Sequence, residues 1–137
     1  MHKFKRPEEP QCLIDARAKK ETWETFRKAE LTECLHRAQD GCCAYCDMKL
    51  KRDEKGRLKA HIEHLSRRCE NRTGVFDWEN LFLSCEHSES CGKYKDKQYK
   101  KLQNGAPVNV ENIVDPSKEE PLDYFRYTVL GRVAIND

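Results

Sequence analysis

Cys43-Ala-Tyr-Cys46 and Cys85-Glu-His-Ser-Glu-Ser-Cys91 hold four of the eight cysteines in this 137-residue chain. The first pair has the C-x2-C spacing with which two thiolates bind one zinc ion from a tight turn. A tetrahedral site needs two further ligands, and the second pair is the best later source of them. The pattern therefore predicts a structural zinc site of four thiolates that joins the two segments.

Other interpretations of the cysteines remain open. His87 could replace one ligand, and Cys42 could replace Cys43. The thiols could also be buried and free, or the C-x2-C pair could be a redox site. The redox interpretation is disfavoured because the sequence around the C-x2-C pair does not have a βαβ pattern. It also leaves the second cysteine pair unexplained.

The composition indicates why such a chain would need a metal. Hydrophobic residues make up 37% of the sequence and charged residues 36%, with 26 Lys and Arg against 24 Asp and Glu. Globular chains usually contain about 45–50% apolar residues on a count that includes Gly. We therefore expect a small hydrophobic core. A bound metal would then contribute directly to the free energy of folding.

Two classes of protein are disfavoured by the sequence. No stretch approaches the ~20 apolar residues of a membrane-spanning helix. The start, Met1-His-Lys-Phe-Lys-Arg-Pro7, is basic but lacks the apolar region of a secretory signal. We therefore expect no membrane association and a cytoplasmic location, where cysteines are more often thiols or metal ligands than disulfides.

The remaining pattern predicts an α+β fold in one compact domain. Residues 1–40 form an N-terminal arm and a helical run from Leu13 to Gln39, as one helix or two, which Asp40-Gly41 ends. Residues 41–103 form the zinc-stabilised core, with a strand at 60–66 and a helix at 91–103. Residues 104–137 form a C-terminal tail with a turn at Asn104-Gly105 and two short strands around Gly131.

His61-Ile-Glu-His64 lies between the two cysteine pairs. On a strand, residues i and i+2 share a face, so His61 and Glu63 point together, as ligands of a divalent metal could. His64 points to the other face unless the strand ends there. A histidine beside a metal-bound carboxylate can take a proton from water. The alternatives are surface histidines or a second structural metal site.

Basic residues concentrate beside this Cys/His cluster. Residues 49–72 contain nine Lys or Arg against four acidic residues, and residues 93–101 contain five Lys against one Asp. Residues 111–137 are acidic overall. Such a patch suits a polyanion such as nucleic acid, although a solvated charged surface would have the same composition.

The order of these motifs resembles that of the HNH endonucleases. Cys43-x2-Cys46, Ile62-Glu63-His64, Asn80-Leu81 and Cys85…Cys91-Gly-Lys-Tyr-Lys95 follow one another as in members with zinc knuckles. The resemblance covers about residues 41–100. It implies a ββα-metal core, in which a β-hairpin and a helix surround one catalytic metal, and the metal-dependent hydrolysis of phosphodiester bonds in nucleic acid.

A closer resemblance covers nearly the whole chain. The Lys5-Arg-Pro7 arm, the Cys-Ala-Tyr-Cys and His-Ile-Glu-His motifs, Trp78-x-Asn80-Leu81 and Pro121-Leu-Asp-Tyr-Phe-Arg126 look like the HNH proteins of retron and Septu-type antiphage systems. Those proteins act beside an ABC-type ATPase, and in some systems beside a reverse transcriptase with its DNA–RNA hybrid. The resemblance implies an antiphage effector that cleaves nucleic acid. DNA is the expected substrate and RNA the alternative.

The resemblance also assigns roles to residues. His64 corresponds to the general base that activates water, and Glu63 to the acidic ligand of Mg²⁺ or Mn²⁺. His61 completes the metal shell. Asn80 corresponds to the central Asn, which braces the hairpin loop through hydrogen bonds.

The sequence departs from the family after the last cysteine. Members commonly have Asn or His there as a metal ligand, whereas this chain has Gly92. Asp96, four residues on, or His87 could take that role. Five basic residues are candidate phosphate contacts: Arg67, Arg68, Lys93, Lys95 and Lys97. The departure leaves a second hypothesis open, a non-catalytic zinc module that docks nucleic acid or a partner.

Overall fold

The computed structural model describes residues 1–68, 73–102, 113–130 and 132–136, with the side chains of residues 100–102 excepted. Within these residues the fold is α+β, as the sequence predicts. It contains three α-helices and two small antiparallel sheets, in the order α1 (Gln11–Ala18), α2 (Ala29–Ala38), β1 (Ala60–His64), β2 (Leu81–Cys85), α3 (Cys91–Leu102), β3 (Phe125–Tyr127) and β4 (Val133–Ile135).

The helical run predicted for residues 13–39 is divided into two helices. Helix α1 ends where Lys20 adopts φ +54°, with Glu21 N–H donating to the Ala16 carbonyl at 2.9 Å. This left-handed turn directs the chain away from the helix axis. Residues 19–28 therefore form an irregular connection with turns, and Trp23, which the helical pattern included, lies in this connection rather than on a helix.

The predicted stop at Asp40-Gly41 is confirmed. Both residues have positive φ, and Gly41 N–H donates to the His36 carbonyl at 2.8 Å. The buried amide of Gln39 then joins the end of α2 to the sheet, because it accepts from Leu83 N–H at 2.7 Å and donates to the Leu83 carbonyl at 3.0 Å. This double contact aligns α2 with β2.

The central sheet pairs β1 with β2 in antiparallel register, with His61 opposite Ser84 and Glu63 opposite Phe82. Strand β2 is fully buried, and α3 follows it and packs against it. One face of the sheet presents Leu81 and Leu83 to the main hydrophobic core, to which α1 and α2 also contribute Leu13, Leu31 and Leu35. The other face carries His61 and Glu63.

The two ends of the chain pack on this core to different extents. Phe4 of the N-terminal arm lies edge-on to Phe82, with ring centroids 6.1 Å apart, and is buried. The sequence predicts two short C-terminal strands, and the structure contains them as β3 and β4, which pair with each other and leave Val133 and Ile135 exposed. The predicted turn at Asn104-Gly105, the 103/104 boundary and Gly131 lie outside the described residues.

No helix within the described residues has the length and apolar character that crossing a membrane requires.

Candidate functional site

The four predicted zinc ligands meet at one end of the central sheet. Their sulfur atoms all lie within 4.8 Å of one another, close enough to hold one metal ion; the ligands are Cys43, Cys46, Cys85 and Cys91. Four thiolates around a tetrahedral zinc would lie about 3.8 Å apart for Zn–S bonds of about 2.3 Å. Among the described residues, no other His, Cys, Asp or Glu side chains form so close a group of three or more.

Local structure holds this cluster together. Cys85 ends β2 and its N–H donates to the Cys43 sulfur at 3.3 Å. Cys91 opens α3 with φ +59°. Contact with the Cys91 thiol, which outweighs burial, lowers the pKa of Cys43, and the same contact raises the pKa of Cys91.

The alternatives for these ligands are not supported by the geometry. The Cys42 thiol lies outside the cluster and contacts the Asp40 carbonyl at 3.6 Å. His87 is exposed, and its Nδ1 lies 3.1 Å from the Ser90 hydroxyl. Cys12 and Cys34 also lie outside the cluster, and Cys69 lies outside the described residues.

His61 and Glu63 share a face of β1, as the alternation predicts. Glu63 Oε2 lies 3.4 Å from His61 Nε2, and the Glu63 side chain is 4% exposed. Burial alone would raise the pKa of Glu63, but His61 and the positive charge of Lys95 outweigh it, so this pKa lies below its ordinary value. The carboxylate is therefore buried in its charged form.

Lys95 reaches this carboxylate from α3. Its ammonium contacts Glu63 Oε1 and donates to the carbonyls of His64 at 2.7 Å and Leu65 at 3.2 Å. The side chain is only 12% exposed. The structure therefore directs Lys95 inward, toward the carboxylate, rather than outward as a phosphate contact would require.

Several polar atoms here are buried without a hydrogen bond. They are both ring nitrogens of His61 and Oε1 of Glu63. Glu63 Oε1 is in an ion pair with Lys95 and His61 Nε2 lies 3.4 Å from Glu63 Oε2, so His61 Nδ1 is the atom here that calls for an explanation, such as an ion. The carboxylate is a ligand that suits Mg²⁺ or Mn²⁺, whereas an imidazole is more typical of sites for softer divalent metals such as zinc.

Gly92 lies against this pair of donors. A Cβ at position 92 would be 2.6 Å from Glu63 Oε2 and 2.9 Å from His61 Nε2. The Gly92 N–H also donates to the Ser84 hydroxyl at 3.0 Å. Position 92 therefore faces the predicted metal site, and its lack of a side chain lets the first turn of α3 approach the carboxylate closely.

Asp96, the proposed substitute for a ligand at position 92, lines a cleft together with His61 and Glu63. It is exposed, and partial burial of its carboxyl together with the charge of Glu63 raises its pKa. Its carboxylate does not form a close three-ligand group with His61 and Glu63.

His64 lies on the opposite face of the strand, again as the alternation predicts, and is 8% exposed. Its Nε2 lies 3.0 Å from the Val75 carbonyl. A carbonyl only accepts hydrogen bonds, so Nε2 carries the proton and Nδ1 has the free lone pair. Burial is the main cause that lowers the pKa of His64, which favours the neutral imidazole.

Asn80 makes three hydrogen bonds and does not line the cleft. Its Nδ2 donates to the carbonyls of Ser66 and Gly74, both at 3.0 Å, and its Oδ1 accepts from Ser66 N–H at 2.7 Å. These bonds join the turn after β1 to the 3-10 turn Thr73–Phe76 that carries Val75. Asn80 therefore braces the two segments against each other through its side chain.

The cleft that contains His61, Glu63 and His64 has a volume of about 420 Å³. Its walls include residues that the motifs did not predict, Trp23 and Glu24, which come from the connection between α1 and α2. No sequence motif predicts that these two residues belong to the site. Only the aromatic side chain of Trp23 distinguished it in the sequence.

Two of the predicted phosphate contacts, Arg67 and Arg68, line this cleft. Arg68 pairs with Glu24 at 3.2 Å, and the Arg67 guanidinium lies 4.8 Å from the centre of the Tyr99 ring. Lys93 and Lys97 are exposed on α3, where Lys97 pairs with Glu89 at 2.6 Å.

In comparisons with known proteins, no family model matches this chain and no curated protein matches it significantly.

Proposed function

We propose that this chain is a metal-dependent HNH endonuclease that hydrolyses phosphodiester bonds of nucleic acid. The observation that carries the proposal is the cleft that His61, Glu63 and His64 all line, although His64 comes from the opposite face of the strand. The strand–strand–helix order of β1, β2 and α3 agrees with the ββα-metal core that the resemblance implies.

In this mechanism His64 is the general base. Its Nδ1 takes a proton from the water that attacks phosphorus, while the Val75 carbonyl holds Nε2 and fixes the tautomer. His61 and Glu63 would hold one Mg²⁺ or Mn²⁺, with Asp96 as a further candidate ligand. Such an ion stabilises the charge of the phosphoryl transition state when bound.

The arginines of the cleft, Arg67 and Arg68, would contact the backbone of the nucleic acid. Contacts of this kind give strong dependence on salt and little sequence readout. We also propose zinc as the ion of the four-cysteine cluster, where it fixes α3 on the sheet. The wider proposal follows from the resemblance: the protein is a cytoplasmic antiphage effector that cleaves DNA or RNA and acts with an ABC-type ATPase partner.

A cleavage assay with His64→Ala tests the proposal. Wild-type protein with Mg²⁺ or Mn²⁺ is incubated with plasmid DNA, single-stranded DNA and structured RNA, alone and with an ABC-type ATPase of such a system. Loss of the general base is expected to lower the rate by about 10²–10⁴-fold. Quantified product over time is the measurement.

His87→Ala is the matched control, because His87 is exposed and does not line the cleft. It is expected to cleave like the wild type. Equal cleavage by His64→Ala would mean a wrong base or a contaminating nuclease. The absence of cleavage in every condition would count against the nuclease.

Gly92→Ala provides a second prediction for the same activity. The new Cβ would displace Glu63 or His61, and Glu63 cannot move without disturbing its contact with Lys95. Because small misplacements of reacting groups are costly, we expect cleavage to fall by at least about tenfold. Gly92→Asn, which restores the family's common residue, is expected to fail for the same steric reason.

Tyr94→Ala is the control for this series, since Tyr94 lies in the same first turn of α3, is exposed and does not line the cleft. Its cleavage is expected to stay within about twofold of the wild type. If Gly92→Ala cleaved as well as Tyr94→Ala, the close approach of α3 to His61 and Glu63 would not matter for activity.

One observation favours the second hypothesis, a non-catalytic zinc module. The ammonium of Lys95 contacts Glu63, so this carboxylate already has a positive partner without a divalent ion. Such a module would bind nucleic acid through its basic residues and cleave nothing. This hypothesis predicts that His64→Ala binds DNA or RNA as tightly as the wild type. It also predicts that added Mn²⁺ changes the affinity of neither protein.

A further inference from the structure

We propose that Trp23 is a positioning residue that holds the imidazole of His64 in its reactive orientation. The inference rests on the proposed function, in which His64 is the general base. Trp23 comes from the turn between α1 and α2, outside the sheet and helix that carry the motifs, and it lines the same cleft as His64.

The contact between the two rings is direct. Their centroids are 4.6 Å apart and their planes meet at 72°, an edge-to-face arrangement that is favourable for aromatic rings. The hydrogen bond from His64 Nε2 to the Val75 carbonyl fixes one ring atom only. The indole supplies a second restraint, which opposes rotation of the imidazole about that bond.

Trp23 is itself held in place from several sides. The Lys28 ammonium donates to the Trp23 carbonyl at 2.5 Å and lies 5.0 Å from the centre of the indole. The rings of Phe26 and Phe76 lie 5.9 Å and 5.7 Å from it. A side chain packed in this way can restrain its neighbour because it cannot easily change rotamer.

The same packing supports the other restraint on His64. Phe76 follows Val75 in the 3-10 turn Thr73–Phe76, and its ring contacts Trp23 and Phe26. Trp23 therefore stabilises the imidazole directly and also supports the turn that presents the Val75 carbonyl. Both effects keep His64 Nδ1 in one direction.

The test compares the steady-state kinetics of Trp23→Ala and Trp23→Phe with those of the wild type. A misdirected base slows the chemical step, so Trp23→Ala is expected to lower kcat by about 10–100-fold with KM within about twofold. Trp23→Phe keeps an aromatic ring in the site and is expected to recover most of kcat. Trp78→Phe is the control, because the Trp78 indole instead donates to the Pro7 carbonyl at 3.0 Å.

Lys28→Met is the second variant, in case Trp23→Ala does not fold. It removes the contact of the ammonium with Trp23 while it leaves all aromatic rings in the core, and kcat is expected to fall several-fold. Unchanged kcat in Lys28→Met and folded Trp23→Ala would overturn the proposal. An increase in KM at constant kcat would also overturn it, because Trp23 would then contact substrate rather than position the base.

Nitrogen-15 NMR of the histidine rings separates this proposal from the proposed function. In the wild type, His64 is expected to be one tautomer with the proton on Nε2. In Trp23→Ala, the His64 signals are expected to show a mixture of tautomers or an average of several ring orientations. If no variant cleaves nucleic acid but this change occurs, the nuclease proposal fails and the restraint of the ring by Trp23 stands. If the His64 signals of Trp23→Ala match the wild type, the restraint itself is refuted.

Discussion

Chelation of the metal that we propose for the four-cysteine cluster is expected to unfold the protein, not only to inactivate it. The cluster joins the knuckle at Cys43 to the end of β2 and the start of α3. Binding of structural zinc contributes about 10–16 kcal/mol in zinc-finger peptides. A domain is stable by only about 5–15 kcal/mol, so loss of zinc can exceed the whole stability of this chain.

The measurement combines circular dichroism with metal analysis during titration with a strong zinc chelator. We expect one zinc per chain, loss of the folded signal as zinc is removed, and recovery when zinc is added back. An apo form that keeps its secondary structure and its cooperative thermal transition would contradict the prediction.

Cys43→Ser and Cys42→Ser form a matched pair for this experiment. The two cysteines are adjacent and buried, but only the Cys43 sulfur belongs to the cluster. Cys43→Ser is expected to lose zinc and to unfold. Cys42→Ser is expected to keep zinc, because the serine hydroxyl can still donate to the Asp40 carbonyl that Cys42 contacts.

Much of the site follows from rules that act over a few residues. The period of two along a strand predicted that His61 and Glu63 share a face and that His64 points away, and the register confirms this. Left-handed residues at Asp40 and Gly41 end α2 where the sequence predicted. Spacing likewise indicated the four cysteines that the structure brings together.

The parts that the sequence could not predict depend on contacts between distant segments. Periodicity placed Trp23 on a helix, but a left-handed turn at Lys20 moves it into the wall of the cleft beside His64. Gly92 appeared only as a missing ligand, whereas the structure shows the close approach of α3 to Glu63. The inward direction of Lys95 likewise depends on how α3 packs on the sheet.

Asn80→Ala is expected to destabilise the protein by about 3 kcal/mol, since each of its three hydrogen bonds contributes on the order of 1 kcal/mol. The side chain is 7% exposed, so water cannot easily replace these bonds. Asn80→Asp is expected to give no rescue. It keeps an acceptor for Ser66 N–H but places a charge against the carbonyls of Ser66 and Gly74, which only accept.

Chemical denaturation measures this change, and Asn136→Ala is the control because the Asn136 side chain donates one exposed hydrogen bond, to the Leu122 carbonyl at 2.7 Å. The control is expected to change the free energy of unfolding by less than about 0.5 kcal/mol.

Asn80 also supports the turn whose Val75 carbonyl holds His64. Cleavage by folded Asn80→Ala should therefore fall, although Asn80 does not line the cleft. Loss of stability with full cleavage would mean that the turn is not needed to orient the base, and unchanged stability would mean that Asn80 does not brace it.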